Sequence, residues 1–261
     1  MASGGGFGDV ILQIVAIIVG ALCYRLGFSL LKKKRIIQNT PTSKIRSLAM
    51  GKVEVNGEVV PAKEELLKSP LSGKDCVYYH YTIEKQVKRG KISSWELLAR
   101  GGNKTDFYIK DDTGKVLINP SGADIQLKES FSFDCSFFDC FRRTPLAVKQ
   151  LFVKHNLTSY DNFFGKFNGL RVLEYVIEPK ARLYIMGTAE DNPSVEEATA
   201  QDGISDIIIT TSKSGDPYVI SDSPEKKIIS NYRYYIFFAF FVGTVFIFFA
   251  LSGLLSILFD I

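Results

Sequence analysis

The chain is poor in the residues that carry most metal and nucleophile chemistry. It holds two histidines, His80 and His155, and four cysteines in 261 residues. No Gly-x-Ser-x-Gly, His-Glu-x-x-His or Gly-Lys-Ser/Thr run occurs, which excludes the common hydrolase, zinc-peptidase and phosphate-loop signatures. A zinc site would have to combine Cys76, Cys135, Cys140 and a histidine, and this spacing lacks the close ligand pairs of structural sites. Three cysteines between the apolar runs also fall short of a disulfide framework, and a reduced cytoplasmic setting accounts for them. Asp111-Asp112 reads as a turn, not as a catalytic carboxylate pair. His80 fits a packed strand and His155 a helix end, where a cation complements the dipole. No catalytic residue, metal ligand or cofactor is expected. Away from the apolar runs, basic residues are scattered among acids, so no nucleic-acid partner is expected either. The sequons at Asn103 and Asn156 matter only outside a cytoplasm.

Apolar length, in contrast, is plentiful. Val10 to Leu31 and Tyr234 to Leu258 each exceed the roughly 20 residues that cross a bilayer as a helix. The expected organisation is a short non-cytoplasmic N-terminus over 1–9, a transmembrane helix over 10–31, a soluble domain over 32–233, a second transmembrane helix over 234–258, and an end at 259–261. Basic residues flank the inner ends of both runs: Lys32, Lys33, Lys34 and Arg35 after the first, Lys226, Lys227 and Arg233 before the second. The positive-inside rule then places the domain in the cytoplasm and both termini outside. Arg25 can snorkel to the headgroups, and Tyr232, Tyr234 and Tyr235 suit the interfacial belt. The basic cluster follows the first run instead of preceding it, which fits a retained anchor, not a cleaved signal. Ala16/Gly20 and Ala239/Gly243 are small-x-x-x-small pairs that permit close helix approach in lipid. Net charge is +4, and the positive flanks attract anionic lipid headgroups.

The middle reads as a mainly-β, α+β domain, barrel- or sandwich-like. Strands are expected over Lys52 to Val60 (turning at Asn56-Gly57), Val77 to Gln86, Trp95 to Arg100, Phe107 to Ile118 (turning at Asp111 to Gly114), Leu170 to Glu178, Ala181 to Met186, Ile204 to Thr211 and Tyr218 to Ser221. Pro145 to His155 is expected to be a helix with Thr144 as its cap and Leu146, Val148, Leu151, Phe152 and His155 on one side. Lys63 to Leu67 reads as a short helical turn, and Asp191 to Gly203 as an exposed loop. Phe131 to Phe141 carries five phenylalanines in eleven positions. It reads as a barrel cap, with membrane contact or a subunit contact as alternatives.

SKIRSLAMGKVEVNGEVVP (Ser43 to Pro61), PLSGKDCVYYHY (Pro70 to Tyr81), Trp95, FYIKDDTGKVLINP (Phe107 to Pro120) and EYVIEPKARLYIMG (Glu174 to Gly187) resemble the GIDE, or beside-a-membrane, domain. That domain lies between the two spans of the MULAN-type mitochondrial ubiquitin ligases, and the matching blocks cover most of 43–187. The resemblance implies contact positions at Gly73, Cys76, Tyr78, Tyr79 and Trp95, to which Phe131, Phe133, Phe137 and Phe138 are added from the aromatic segment. Gly51, Gly57, Gly114 and Gly187 are expected to serve turns. The ligases carry a zinc-binding RING after the second span, whereas no cysteine or histidine follows it in this sequence. The expectation is therefore a RING-less, prokaryotic (archaeal) relative that is not itself an enzyme.

The leading functional expectation is a membrane-anchored, non-catalytic interaction or scaffold module. It would be partnered by the lipid bilayer and by itself as a homo-oligomer, or by another membrane protein. The rivals are a recognition subunit of a ubiquitin-like ligase system lacking its own RING, and a subunit of an oligomeric membrane channel. Nearly unbroken apolarity within the spans, Gln13 apart, argues against the channel.

Overall fold

The apolar runs form long helices because nothing in them breaks the hydrogen-bond ladder. A computed structural model describes residues 7–89, 92–136, 144–157, 169–192, 204–212, 215–223 and 225–259. Its helices are α1 (Phe7–Asn39), α2 (Leu146–Lys154) and α3 (Glu225–Phe259). The chain divides into a helical unit, Met1–Pro41 with Pro224–Ile261, and a β unit, Thr42–Ser223. Within the helical unit, Val10–Asn39 and Ile229–Ser256 are long and apolar enough to cross a membrane. α1 runs on past Leu31, so Lys32, Lys33, Lys34 and Arg35 are helical.

Small residues set the α1–α3 contact. A Cβ on Gly20 would lie 2.8 Å from Ile247 and 3.2 Å from the Gly243 carbonyl oxygen; one on Gly243 would lie 2.9 Å from the Tyr24 ring. Ala16 and Ala239 are buried in the same contact. This is the close approach that the two small-x-x-x-small pairs permit. The Tyr24 and Thr244 hydroxyls meet at 2.9 Å, and Phe28 packs edge-on against Phe240 at 5.2 Å between ring centroids.

The β unit is built around a closed five-stranded barrel. Its strands, in spatial order, are β1 (Gly51–Pro61), β6 (Phe107–Lys110), β7 (Lys115–Ile118), β12 (Ile204–Thr210) and β11 (Arg182–Asp191), with β11 returning to β1. The short strands β13 (Val219–Ser221) and β8 (Asp124–Gln126) continue from β11. Strand alternation sends Val53, Val55, Phe107, Ile109, Val116, Ile118 and Ile185 inward, each at most 4% exposed. The pairs β7/β12 and β8/β13 are parallel; the other barrel pairs are antiparallel.

A second, four-stranded sheet has the order β5 (Ile92–Lys104), β4 (Tyr78–Arg89), β10 (Gly169–Ile177), β9 (Glu129–Ser136). α2 packs Val148, Leu151 and Phe152 over Tyr81, Ile83, Leu170 and Val172. The Tyr81 hydroxyl and His155 Nε2 are hydrogen-bonded at 2.9 Å. β2 (Leu67–Lys68) and β3 (Asp75–Cys76) form a two-residue ladder.

Four local expectations need correction. Asn56-Gly57 is not a turn: β1 runs unbroken through it, and Gly57 is not among the glycines with positive φ. β1 changes partner there, from β11 up to Glu58 to β6 beyond it. A Cβ at 57 would meet Ile109 Cγ2 and the Lys110 carbonyl oxygen, each at 2.5 Å, so the glycine serves a close crossing inside the barrel wall. Gly187 likewise sits within β11, with Ile209 2.7 Å from where its Cβ would be. Residues 62–65 are bends, not a helical turn. In α2 the capping position is Pro145, one residue later than Thr144, and Leu146 points outward at 77% exposed. Gly51 does take positive φ (111°), and Asp111 to Gly114 does join β6 to β7. Of the expected 191–203 loop, residues 193–203 lie outside the described residues.

The β6–β7 turn carries a pH prediction. Asp111 accepts hydrogen bonds from the Thr113 hydroxyl (2.7 Å) and from the backbone N–H of Thr113 (2.7 Å), Gly114 (2.9 Å) and Ile45 (3.0 Å). Burial pushes its carboxyl up, but these bonds outweigh that and hold it below the usual aspartate value. A lowered folded-state value means the stabilisation is full above the unfolded value and fades as acid protonates the group. Between about pH 5 and pH 3, Asp111→Asn should therefore lose less stability than the parent chain in urea titrations.

Candidate interaction surface

The block Pro70 to Tyr81 folds as a loop closed on one buried carboxylate. Glu174, in the apolar run of β10, is fully buried. It accepts the N–H of Leu71 (3.0 Å) and of Ser72 (2.9 Å) and the hydroxyl of Ser69 (3.1 Å). The loop is pinned from within as well: Ser69 N–H donates to the Lys74 carbonyl (2.9 Å) and Gly73 N–H to the Ser69 carbonyl (3.1 Å). Gly73 takes φ 69°, which its lack of a side chain allows. Lys74 then pairs with Glu178 at 2.6 Å. The negative charge is thus taken out of water and surrounded by donors, the arrangement a buried carboxylate requires.

Cys76 is fully buried beside this loop, and its Sγ donates to the Leu67 carbonyl at 3.4 Å. Burial, with help from Glu174, Asp75 and Glu178, pushes the thiol up to about 11. Such a thiol holds its proton at neutral pH and is a poor nucleophile. A second buried carboxylate, Glu54, is held by the Tyr184 hydroxyl (2.9 Å) and the Thr42 hydroxyl. Among the described residues no three His, Cys, Asp or Glu side chains gather in a way that could hold a metal ion.

The opposite side of the second sheet is where side chains are displayed. The Arg171 guanidinium lies 4.5 Å from the Trp95 ring centroid and is ion-paired with Glu84, its direct cross-strand partner. His80 stacks on Tyr175 at 6.3 Å. Burial, and then the charge of Arg100, pushes the His80 imidazole down, which favours its neutral form. On this side Trp95 and Leu97 are 38% and 49% exposed.

Of the positions singled out in the sequence, Trp95 lies on this displayed side and Gly73 in the exposed loop. Tyr78 is half-buried against the barrel core; Tyr79, Phe131 and Phe133 are half-buried against the α2 core. Phe131 and Phe133 belong to β9, a strand the sequence reading missed. Phe137 and Phe138 lie outside the described residues. Cys135 is disulfide-bonded, which corrects the expectation of an entirely reduced set; Cys76 and Cys23 are free. Sequence reasoning also missed Glu174, Arg171 and Glu84. An acid standing alone in the run Leu170 to Ile177 is the signal for the first, but its loop partners lie about 100 positions away.

The β unit joins a closed barrel to a four-stranded sheet, in a chain that also carries two helices long and apolar enough to cross a membrane. The family model described as GIDE, E3 Ubiquitin ligase, matches residues 77–255. The match covers more than half of the 261 residues, and the chain belongs to the GIDE family. No curated protein and no solved structure matches it.

Proposed function

We propose that the chain is a membrane-anchored interaction module that self-associates and performs no chemistry of its own. The observation that carries this reading is the pair of candidate spans joined to the two ends of one β unit. Two tethers confine the unit to a plane, which raises its effective concentration for copies of itself or for another membrane protein. Three buried titratable groups are taken up structurally. Glu174 and Glu54 are committed to structural hydrogen bonds, and Cys76 is buried and protonated. The basic flanks favour a β unit on the cytoplasmic side of a plasma membrane with both termini outside. The disulfide at Cys135 favours the opposite, oxidising side. Impermeant maleimide applied to intact cells carrying Lys63→Cys decides between them: protection supports the cytoplasmic side and labelling overturns it.

The mass of the detergent-solubilised particle tests the main reading. An oligomer, or a complex with a co-purified membrane protein, is the expected result. A monomer with no partner at every concentration sinks it. The family description favours a second reading, in which the β unit recognises targets for ubiquitin-type transfer and a separate subunit supplies catalysis. Capture of a ubiquitin-like conjugating enzyme would support this reading, and repeated failure to capture one removes it.

A further inference from the structure

α2 carries two apolar stripes where packing uses only one. Val148, Leu151 and Phe152 face the second sheet and are buried. At about 3.6 residues per turn, Leu146, Lys149, Gln150, Val153 and Lys154 share the opposite side. All five are exposed. Leu146 and Val153 stand two turns apart along the middle of that side, at 77% and 63% exposed. Leu146 is the most exposed large apolar side chain among the described residues, ahead of every one in the candidate spans. Lys149 and Lys154 flank this apolar pair, one on either side of it. Neither lysine is ion-paired among the described residues, and no acid occurs from Thr144 to Leu157.

We infer that this side of α2 docks on an anionic bilayer surface, with Leu146 and Val153 entering the headgroup boundary and the two lysines reaching lipid phosphates and carboxylates. A central apolar pair bordered by lysines is the pattern of an interfacial helix. The basic stems lie along the apolar boundary while their charges stay among the headgroups. The charge is of one sign, so the occupant is anionic. An occupant supplying charge alone would leave Leu146 and Val153 in water. A bilayer surface supplies both. It is also held beside the β unit, because both ends of that unit continue into candidate spans. The inference rests on the reading of α1 and α3 as membrane spans, and its test separates the two.

Gln150 lies on the same side as Leu146, so a nitroxide attached to Gln150→Cys samples the contact directly. A Cys23→Ala background leaves Cys76 as the other free thiol among the described residues, and that thiol is buried. The full chain is reconstituted into phosphatidylcholine vesicles with and without phosphatidylserine. Collisions of the nitroxide with oxygen, which concentrates in lipid, are compared with those of a water-soluble nickel chelate. With phosphatidylserine, oxygen should dominate; without it, or at high salt, nickel should. Lys149→Ala should lower the docked-to-free ratio about fivefold, the equivalent of roughly 1 kcal/mol per basic residue near an anionic surface. Leu146→Ala should lower it too. Lys110→Ala, at an exposed lysine of the barrel wall, should leave the ratio unchanged. An equal drop there would reduce the effect to general surface charge and overturn the assignment to α2. Nickel dominance in every mixture, in a chain that stays with the vesicles through an alkaline wash, overturns α2 docking alone. A chain that washes off overturns the membrane spans and this inference with them. Oxygen dominance without phosphatidylserine would show docking that needs no anionic lipid. A nitroxide shielded from both reagents would show protein, such as a second copy, on α2. Either of these two results overturns the anionic-lipid assignment.

Discussion

Glu174→Ala is expected to cost the β unit about 3–5 kcal/mol, because it strands the Leu71 and Ser72 N–H groups at roughly 1–3 kcal/mol each. That is a large fraction of the 5–15 kcal/mol typical of a whole domain. The carboxylate is fully buried, and of its three partners the Ser69 hydroxyl keeps a second contact, to the Ser72 hydroxyl at 2.6 Å. Glu174→Gln keeps one acceptor oxygen but turns an NH2 toward donors, and should fall between alanine and the parent. Hydrogen exchange at Leu71 and Ser72 is the most direct measurement. Their amides should exchange at least about 100-fold faster in the alanine variant, since each 1.4 kcal/mol is tenfold. Unchanged exchange with stability within about 1 kcal/mol of the parent would show that water already solvates the loop, and would remove the clamp.

Gly57→Ala should be nearly as damaging, at about 3 kcal/mol, the upper end of the overpacking range. One of the two atoms 2.5 Å from the added Cβ is the Lys110 carbonyl oxygen, and Lys110 is the register partner of Glu58. Backbone at a strand pair cannot step aside without disturbing the ladder. Asn56→Ala, in contrast, should change stability by no more than about 0.5 kcal/mol, because Asn56 is an exposed strand residue. Chemical unfolding of the two variants checks this. A large loss for Asn56→Ala beside a small one for Gly57→Ala would favour a turn at this position over a barrel crossing.

The contrast at Asn56-Gly57 shows how far local reading carried. The long apolar helices were legible because length and composition alone define them. So was the β6–β7 hairpin, because three of the four hydrogen bonds that Asp111 accepts come from within three residues. The dipeptide Asn-Gly has a strong local preference, but β1 obtains pairing on both flanks, from β11 and β6, that a turn would forfeit. Tertiary pairing won. β9 was hidden because its aromatic density read as a barrel cap and not as a strand of its own sheet, although Phe131 and Phe133 pack against the α2 core. The displayed side of the second sheet was the least legible. Trp95 was visible as a single aromatic, but Arg171 and Glu84 come from different strands, and only cross-strand register brings them together.

The seam that closes the barrel joins Gly51 to Ala189, near opposite ends of the β unit. A nascent chain emerging from the ribosome has β1 available long before β11 exists, so the barrel cannot shut until most of the unit has been synthesised. Such distant pairing folds slowly and leaves strand edges open in the interval. Biogenesis therefore confronts an unclosed β1 in the stretch between translation of the first apolar helix and of the second, and a chaperone acting on this chain would have most to do in that window.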